Sequence, residues 1–294
     1  MNLSPHALAD VVYALALTHD GIGFAARQSG LYRSDDAGAS WHNAYSSIQS
    51  DTPLMTTTVA LSPDFSSDAT LFAGIPGGIL RSRDGGETWA LIPLGAGVQV
   101  TSFALSSNFP VDGSLWASTS DDGLYFIGEQ GAICRRWNYG LFDWHVFCLA
   151  ATLDGTLYAG TESGISMSRN AGGSWSAIDF PTLAAPVLSL VVTPDGLVFA
   201  GTEAHGLFRS TDGEIWGALD FPLDAPINQL SRLPDASLMA ICPNGIWISA
   251  DNGDTWQPRY PNESETPITC ASAPGSLGDG RLLLGFGDGA IRAV

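Results

Sequence analysis

Residues 187–219 read VLSLVVTPDGLVFAGTEAHGLFRSTDGEIWGAL. Two apolar runs, VLSLVV and LVFAGT, flank a Pro-Asp-Gly break, whose residues preset a tight turn. Two further breaks, EAHG and TDGEI, isolate LFRS and WGAL as short strands. Runs of four to six residues with period-two alternation fit half-buried strands and are too short for helices. The stretch therefore predicts one antiparallel sheet of four strands joined by hairpins.

The same pattern recurs along the whole chain: an aromatic or aliphatic residue, a small residue, a polar turn, Gly and another strand. The copies begin at Phe24, Phe72, Trp116, Tyr158, Phe199, Met239 and Leu284, at intervals of 40 to 48 residues. A period in the forties built of short strands predicts propeller blades. The expectation is an all-β, seven-bladed β-propeller of four-stranded antiparallel blades, forming a single domain over residues 1–294. The blades fall at about 11–45, 57–92, 100–138, 146–178, 187–219, 227–259 and 268–294. The last copy stops before a fourth strand, and Met1–Ser4 are just long enough to supply it and close the ring.

A second motif occupies the hairpin between third and fourth strands: SDDAGASW from Ser34, SRDGGETW from Ser82, SRNAGGSW from Ser168 and SADNGDTW from Ser249, with a shorter STDGEIW from Ser210. Its pattern is S-x-[DN]-x-G-x-[ST]-W, and Trp41, Trp89, Trp175, Trp216 and Trp256 each lie 17 residues after their copy's first residue. The acceptors Asp36, Asp84, Asn170, Asp212 and Asp251 suit backbone N–H groups one or two residues on, Gly supplies a positive φ, and Trp covers the hairpin. Calcium needs more clustered oxygen ligands than any blade offers, so no metal or cofactor is expected.

Composition narrows the function. Hydrophobic residues make up 45% and charged residues 14%, enough for a large core, and Gly 34 with Pro 17 suits a turn-dense chain. All 12 basic residues are Arg against 30 acids, a net charge of -18, which disfavours nucleic acid and anionic membrane as partners. No apolar run reaches a bilayer span and the first residues lack a basic signal region. Cys134, Cys148, Cys242 and Cys270 show no CxxC spacing, which suits reduced thiols and a cytoplasmic location.

The hairpin motif resembles the Asp-box, or BNR, repeat, and the resemblance covers essentially the whole chain. That superfamily includes sialidases, xyloglucan-degrading glycosidases, sortilin-type receptors and the photosystem II assembly-factor propeller. A sialidase would imply six blades, an Arg triad and a Tyr nucleophile; here seven copies are counted and Arg33, Arg81, Arg83, Arg169 and Arg209 sit beside the boxes. The xyloglucan enzymes imply two propellers around a cleft, and this chain has one.

Two clusters merit attention. Glu162 and Glu203 occupy equivalent second turns of neighbouring blades, near His205, and are the carboxylates a glycosidase reading would use. The third copy lacks a box and instead reads ICRRWNYGLFDWHV, placing Arg135 and Arg136 beside Trp137, Tyr139, Phe142, Trp144 and His145. Arg with aromatic residues is the composition of interface hot spots. The sequence thus points to a non-enzymatic scaffold that binds another protein or a multi-protein complex, with a carbohydrate-active or glycan-binding propeller as the alternative.

Overall fold

The computed structural model describes residues 9–50, 52–181, 185–261, 265–272 and 281–294. Seven small antiparallel sheets stand in a ring, the seven-bladed propeller that the repeat predicts. Six sheets have four strands in chain order from the axis outward. In blade five these are Val187–Val192, Val198–Thr202, Leu207–Ser210 and Trp216–Ala218. Blade seven has three described strands, Ile268–Ser272, Leu283–Phe286 and Ile291–Ala293; the closing segment expected at Met1–Ser4 lies outside the described residues.

A belt of residues at the start of the inner strands holds the ring together. Val12, Thr56, Val100, Val146, Val187, Ile227 and Ile268 are all fully buried. Several press on a small residue in the second strand of the preceding blade. A Cβ on Gly74 would meet that of Val100 at 2.8 Å, one on Gly201 would meet Ile227 Cγ2 at 2.7 Å, and one on Gly285 would meet Val12 Cγ1 at 2.7 Å. Glycine is required there because nothing else leaves room for the neighbouring blade.

Hydrogen bonds run beside this belt. Thr57 Oγ1 donates to the Val100 carbonyl at 2.6 Å, Thr101 Oγ1 to that of Val146 at 2.6 Å and Ser189 Oγ to that of Ile227 at 2.9 Å. Blades seven and one are joined the same way, by Thr269 Oγ1 donating to the Val12 carbonyl at 2.5 Å. Contacts between inner strands therefore close the circle within the described residues.

The boxes fold as polar hairpins. In blade one, Gly38 N–H donates to Ser34 Oγ at 2.8 Å, while Asp36 accepts from Ser40 N–H at 2.8 Å and from Ser40 Oγ at 2.6 Å. The Trp41 indole N–H returns to the Gly38 carbonyl at 3.1 Å. Both Asp36 oxygens are thus used locally, as a fixed turn requires. Arg side chains strap these hairpins to the preceding blade: Arg33 Nη1 donates to the Gly85 carbonyl at 2.8 Å, and Arg209 Nη1 to that of Asn252 at 2.7 Å.

Blade three departs from the rule. A short turn at Glu129–Gly131 replaces the box, and the outer strand Ile133–Arg136 ends before Trp137. Blades two and three also carry one helical turn each, α1 (Phe65–Asp68) and α2 (Phe109–Asp112), between their first two strands. Among the described residues no helix is long and apolar enough to cross a membrane.

Candidate functional site

The ring has two faces. Box hairpins lie beside the first turns of their blades, as Ala37 N–H to the Gly21 carbonyl and Gly85 N–H to the Ala69 carbonyl show, each at 2.9 Å. Second turns lie on the other face, beside the segments that enter the inner strands: Glu162 N–H donates to the His145 carbonyl at 3.1 Å and Glu203 N–H to that of Pro186 at 2.9 Å.

The connection from blade three to blade four, residues 137–145, is pinned along its length. Asn138 Oδ1 accepts from Leu124 N–H at 2.7 Å, and its amide donates to the Asp122 carbonyl at 3.0 Å. Trp175 N–H donates to the Tyr139 carbonyl at 2.8 Å. Gly140, at φ 80°, passes so close to blade four that an added Cβ would lie 2.3 Å from the Trp175 carbonyl oxygen. Leu141 is buried in the seam, and Gly123 N–H donates to the Trp144 carbonyl at 3.0 Å.

On this fixed backbone three large side chains face water. Tyr139 is 81% exposed, Phe142 79% and Trp144 46%. Tyr139 and Phe142 leave most of their rings, and Trp144 about half of its own, uncovered by folding. Tyr139 lies by the outer strand of blade four and Trp144 by the second turn of blade three, so the patch runs from rim to face.

The neighbouring residues divide. Arg136 is exposed yet engaged: its Nη2 lies 2.8 Å from Asp122 Oδ2 and its Nε donates to the Tyr125 hydroxyl at 3.2 Å. These contacts raise the Arg136 pKa, the Tyr125 hydrogen bond first. Arg135 is exposed and has no ion pair among the described residues. Trp137 is set back from these exposed rings. It is half-buried in the seam between blades three and four, tilted against Phe126 with ring centroids 5.1 Å apart, because it follows the outer strand where Ala44 follows that of blade one.

At the end of the loop three ionisable groups meet. His145 Nδ1 lies 3.1 Å from Asp143 Oδ1 and 3.5 Å from Glu162 Oε2, and the three potential ligand atoms fall within 4.8 Å of one another. Asp143, which the sequence reading passed over, also accepts from the N–H groups of His145 at 3.0 Å and Ser163 at 2.8 Å. Partial burial, the largest single influence, raises its pKa, but the hydrogen bonds from His145 and Ser163 together outweigh it and leave the pKa lowered. These are the residues that could hold a divalent metal; equally, they tie the loop to the second turn of blade four.

The carboxylates of the glycosidase reading stay apart in their contacts. Glu162 pairs with His145, whereas Glu203 and His205 are exposed on the next blade and no contact joins them to Glu162 among the described residues. A channel of about 310 Å³ along the axis is lined by all seven inner strands, including Tyr13, Phe103, Phe147, Asn228 and Gln229, and among the described residues no charged side chain lines it.

The sequence matches no family model and no curated protein. Solved structures match the fold. A GH74 xyloglucanase from Xanthomonas campestris aligns with a TM-score of 0.80 at 18% identity over 98% of this chain and 52% of its own. The extracellular domain of a hybrid two-component system from B. thetaiotaomicron aligns with a TM-score of 0.77 at 20% identity over 100% of this chain and 39% of its own. YCF48 bound to D1 peptide aligns with a TM-score of 0.73 at 17% identity over 99% of this chain and 97% of its own. The chain thus spans about half or less of the first two proteins, and at these identities the likeness is one of fold.

Proposed function

We propose that this propeller is a non-enzymatic scaffold that holds a partner protein at the loop 137–145. The observation that carries the reading is the contrast within that loop: hydrogen bonds at Asn138, Tyr139 and Trp144 fix its backbone, while Tyr139, Phe142 and Trp144 remain exposed. A preordered aromatic patch loses little entropy when covered, which is how rigid interfaces gain affinity. Arg135 adds a cation free to meet an acceptor-rich surface.

The hydrogen-bond pattern of the hairpins, from Ser34 through Asp36 to Ser40 and Trp41, supports reading them as Asp-box repeats. A glycan-binding alternative draws on the fold shared with the xyloglucanase.

The test is quantitative affinity purification from the native host with the intact chain and with a Tyr139→Ala, Phe142→Ala, Trp144→Ala triple variant. Loss of a specific protein with the variant, at unchanged thermal stability, supports the scaffold. Equal recovery by both chains, or retention on a glycan array that the variant leaves intact, overturns it.

A further inference from the structure

Two seams of the ring are plugged by a phenylalanine from the first turn of the following blade. Phe65 of α1 packs edge-on against Phe24 at 5.7 Å, and Phe109 of α2 packs likewise against Phe72 at 5.8 Å. Both are buried, and both arise from one local design. In Ser62–Asp68 and Ser106–Asp112 the first serine hydroxyl donates to the last aspartate, at 2.6 and 2.7 Å, and one helical turn carries the ring inward.

The seam between blades three and four, like those after it with short first turns, lacks such a plug; its walls carry Trp116 and Phe126 where blade one has Phe24 and Arg33. The corresponding turn, residues 152–156, is Thr-Leu-Asp-Gly-Thr, too short for a helical turn, and Leu153 is exposed. There the structure has a solvent-open pocket of about 260 Å³, with Trp116, Phe126, Ala151 and Leu157 as its apolar wall and Ser106, Asp112 and Thr152 among the polar residues that complete it. Trp116 occupies the place of Phe24, and Ala151 pairs with Leu157 as Leu61 pairs with Leu71. An enclosed apolar cavity of about 150 Å³ holds benzene, so this open pocket is large enough to admit an aromatic ring from solvent.

We propose that this cavity receives the aromatic side chain of a partner protein's segment, flanked by basic residues. The side chain is specified by the molecule itself, since phenylalanine fills the equivalent space twice. The flanks follow from charge: Asp112 lies at the rim, Asp154 in the adjoining turn, and the chain carries -18 overall. Ser107 Oγ donates to the Leu153 carbonyl at 3.3 Å, bridging the two turns that flank the mouth, and exposed Val111 and Leu153 offer apolar contact for the segment. The cavity adjoins the box hairpin of blade four, on the face opposite the second turns, so the site is separate from the loop 137–145.

The probes are acetyl-Lys-Lys-Phe-Lys-Lys-amide and the same peptide with Ala in place of Phe, titrated calorimetrically into the full chain. The Phe peptide should bind about tenfold or more tightly than the Ala peptide, and added salt should weaken both. Replacing residues 152–156 with Ser-Pro-Asp-Phe-Ser-Ser-Asp-Ala-Thr, the turn of blade two, should abolish that preference and raise Tm. Ala151→Leu, which installs the residue blade two already has, should reduce the preference with little change in fold. Trp144→Ala should leave it intact, which separates this site from the loop. Equal affinity for the two peptides, or a Phe preference that survives in both filled variants, overturns the proposal.

Discussion

The indole N–H of Trp175 donates to the carbonyl oxygen of Trp137 at 2.9 Å, locking the box of blade four onto the chain that leaves blade three. The bond repeats between blades one and two, where the Trp89 indole donates to the Ala44 carbonyl at 2.9 Å. Trp137 therefore stands at a structural position of the repeat.

Its neighbours in sequence should separate from it in experiment. Trp137→Ala removes a ring packed on Phe126 and should destabilise the protein by about 3 kcal/mol. Tyr139→Ala and Phe142→Ala, on exposed positions, should stay within about 0.5 kcal/mol. Urea unfolding of the three variants decides; equal losses would mean that the loop aromatics are packed after all.

Ring closure is tested at Gly285. A Gly285→Val side chain has to occupy the space of Val12, so blades seven and one must part or shift. The expected cost is about 2–3 kcal/mol with a lower Tm. A variant that melts like the parent would place the closing contact elsewhere.

Acid should loosen the boxes. The Ser40 hydroxyl first, then the Ser40 N–H, holds the Asp36 carboxyl down at about 2, and Thr255 does the same for Asp251, also at about 2. An unfolded Asp titrates near ~3.9, so both groups bind protons more weakly in the folded state. Their contribution is complete above about pH 4 and is lost as pH falls through about 2. Asp36→Asn with Asp251→Asn keeps an acceptor, as Asn170 does in blade four, and should flatten the fall of stability over that range. Thermal melts at stepped pH read the slope; an unchanged slope would exclude these carboxylates as its source.

The blades were legible because their signals are local. Strand alternation, turn residues and the box at Asp36, Asp84, Asn170, Asp212 and Asp251 all act within a few residues, and a fixed period exposes them. The plugging role of Phe65 and Phe109 was less visible because it depends on the neighbouring blade, although the shared Ser-x-x-Phe-x-x-Asp spacing was there to be found. The packing of Trp137 in the seam was hidden for the same reason: its counterpart Ala44 has no aromatic signature. The meeting of Asp143, His145 and Glu162 needs two blades at once. Glu162 and Glu203 showed the limit of spacing, since equivalent turns carry side chains with different contacts.

The loop 137–145 is the proposed partner-binding surface. Photo-crosslinking in the native host, with benzoylphenylalanine placed at Phe142 in one chain and at Ile215 on the box face in another, tests it most directly. One dominant crosslinked protein is expected from position 142, lost when Tyr139→Ala and Trp144→Ala are added, with no crosslink to that protein from position 215. A dominant crosslink from position 215, with none from position 142, would contradict it.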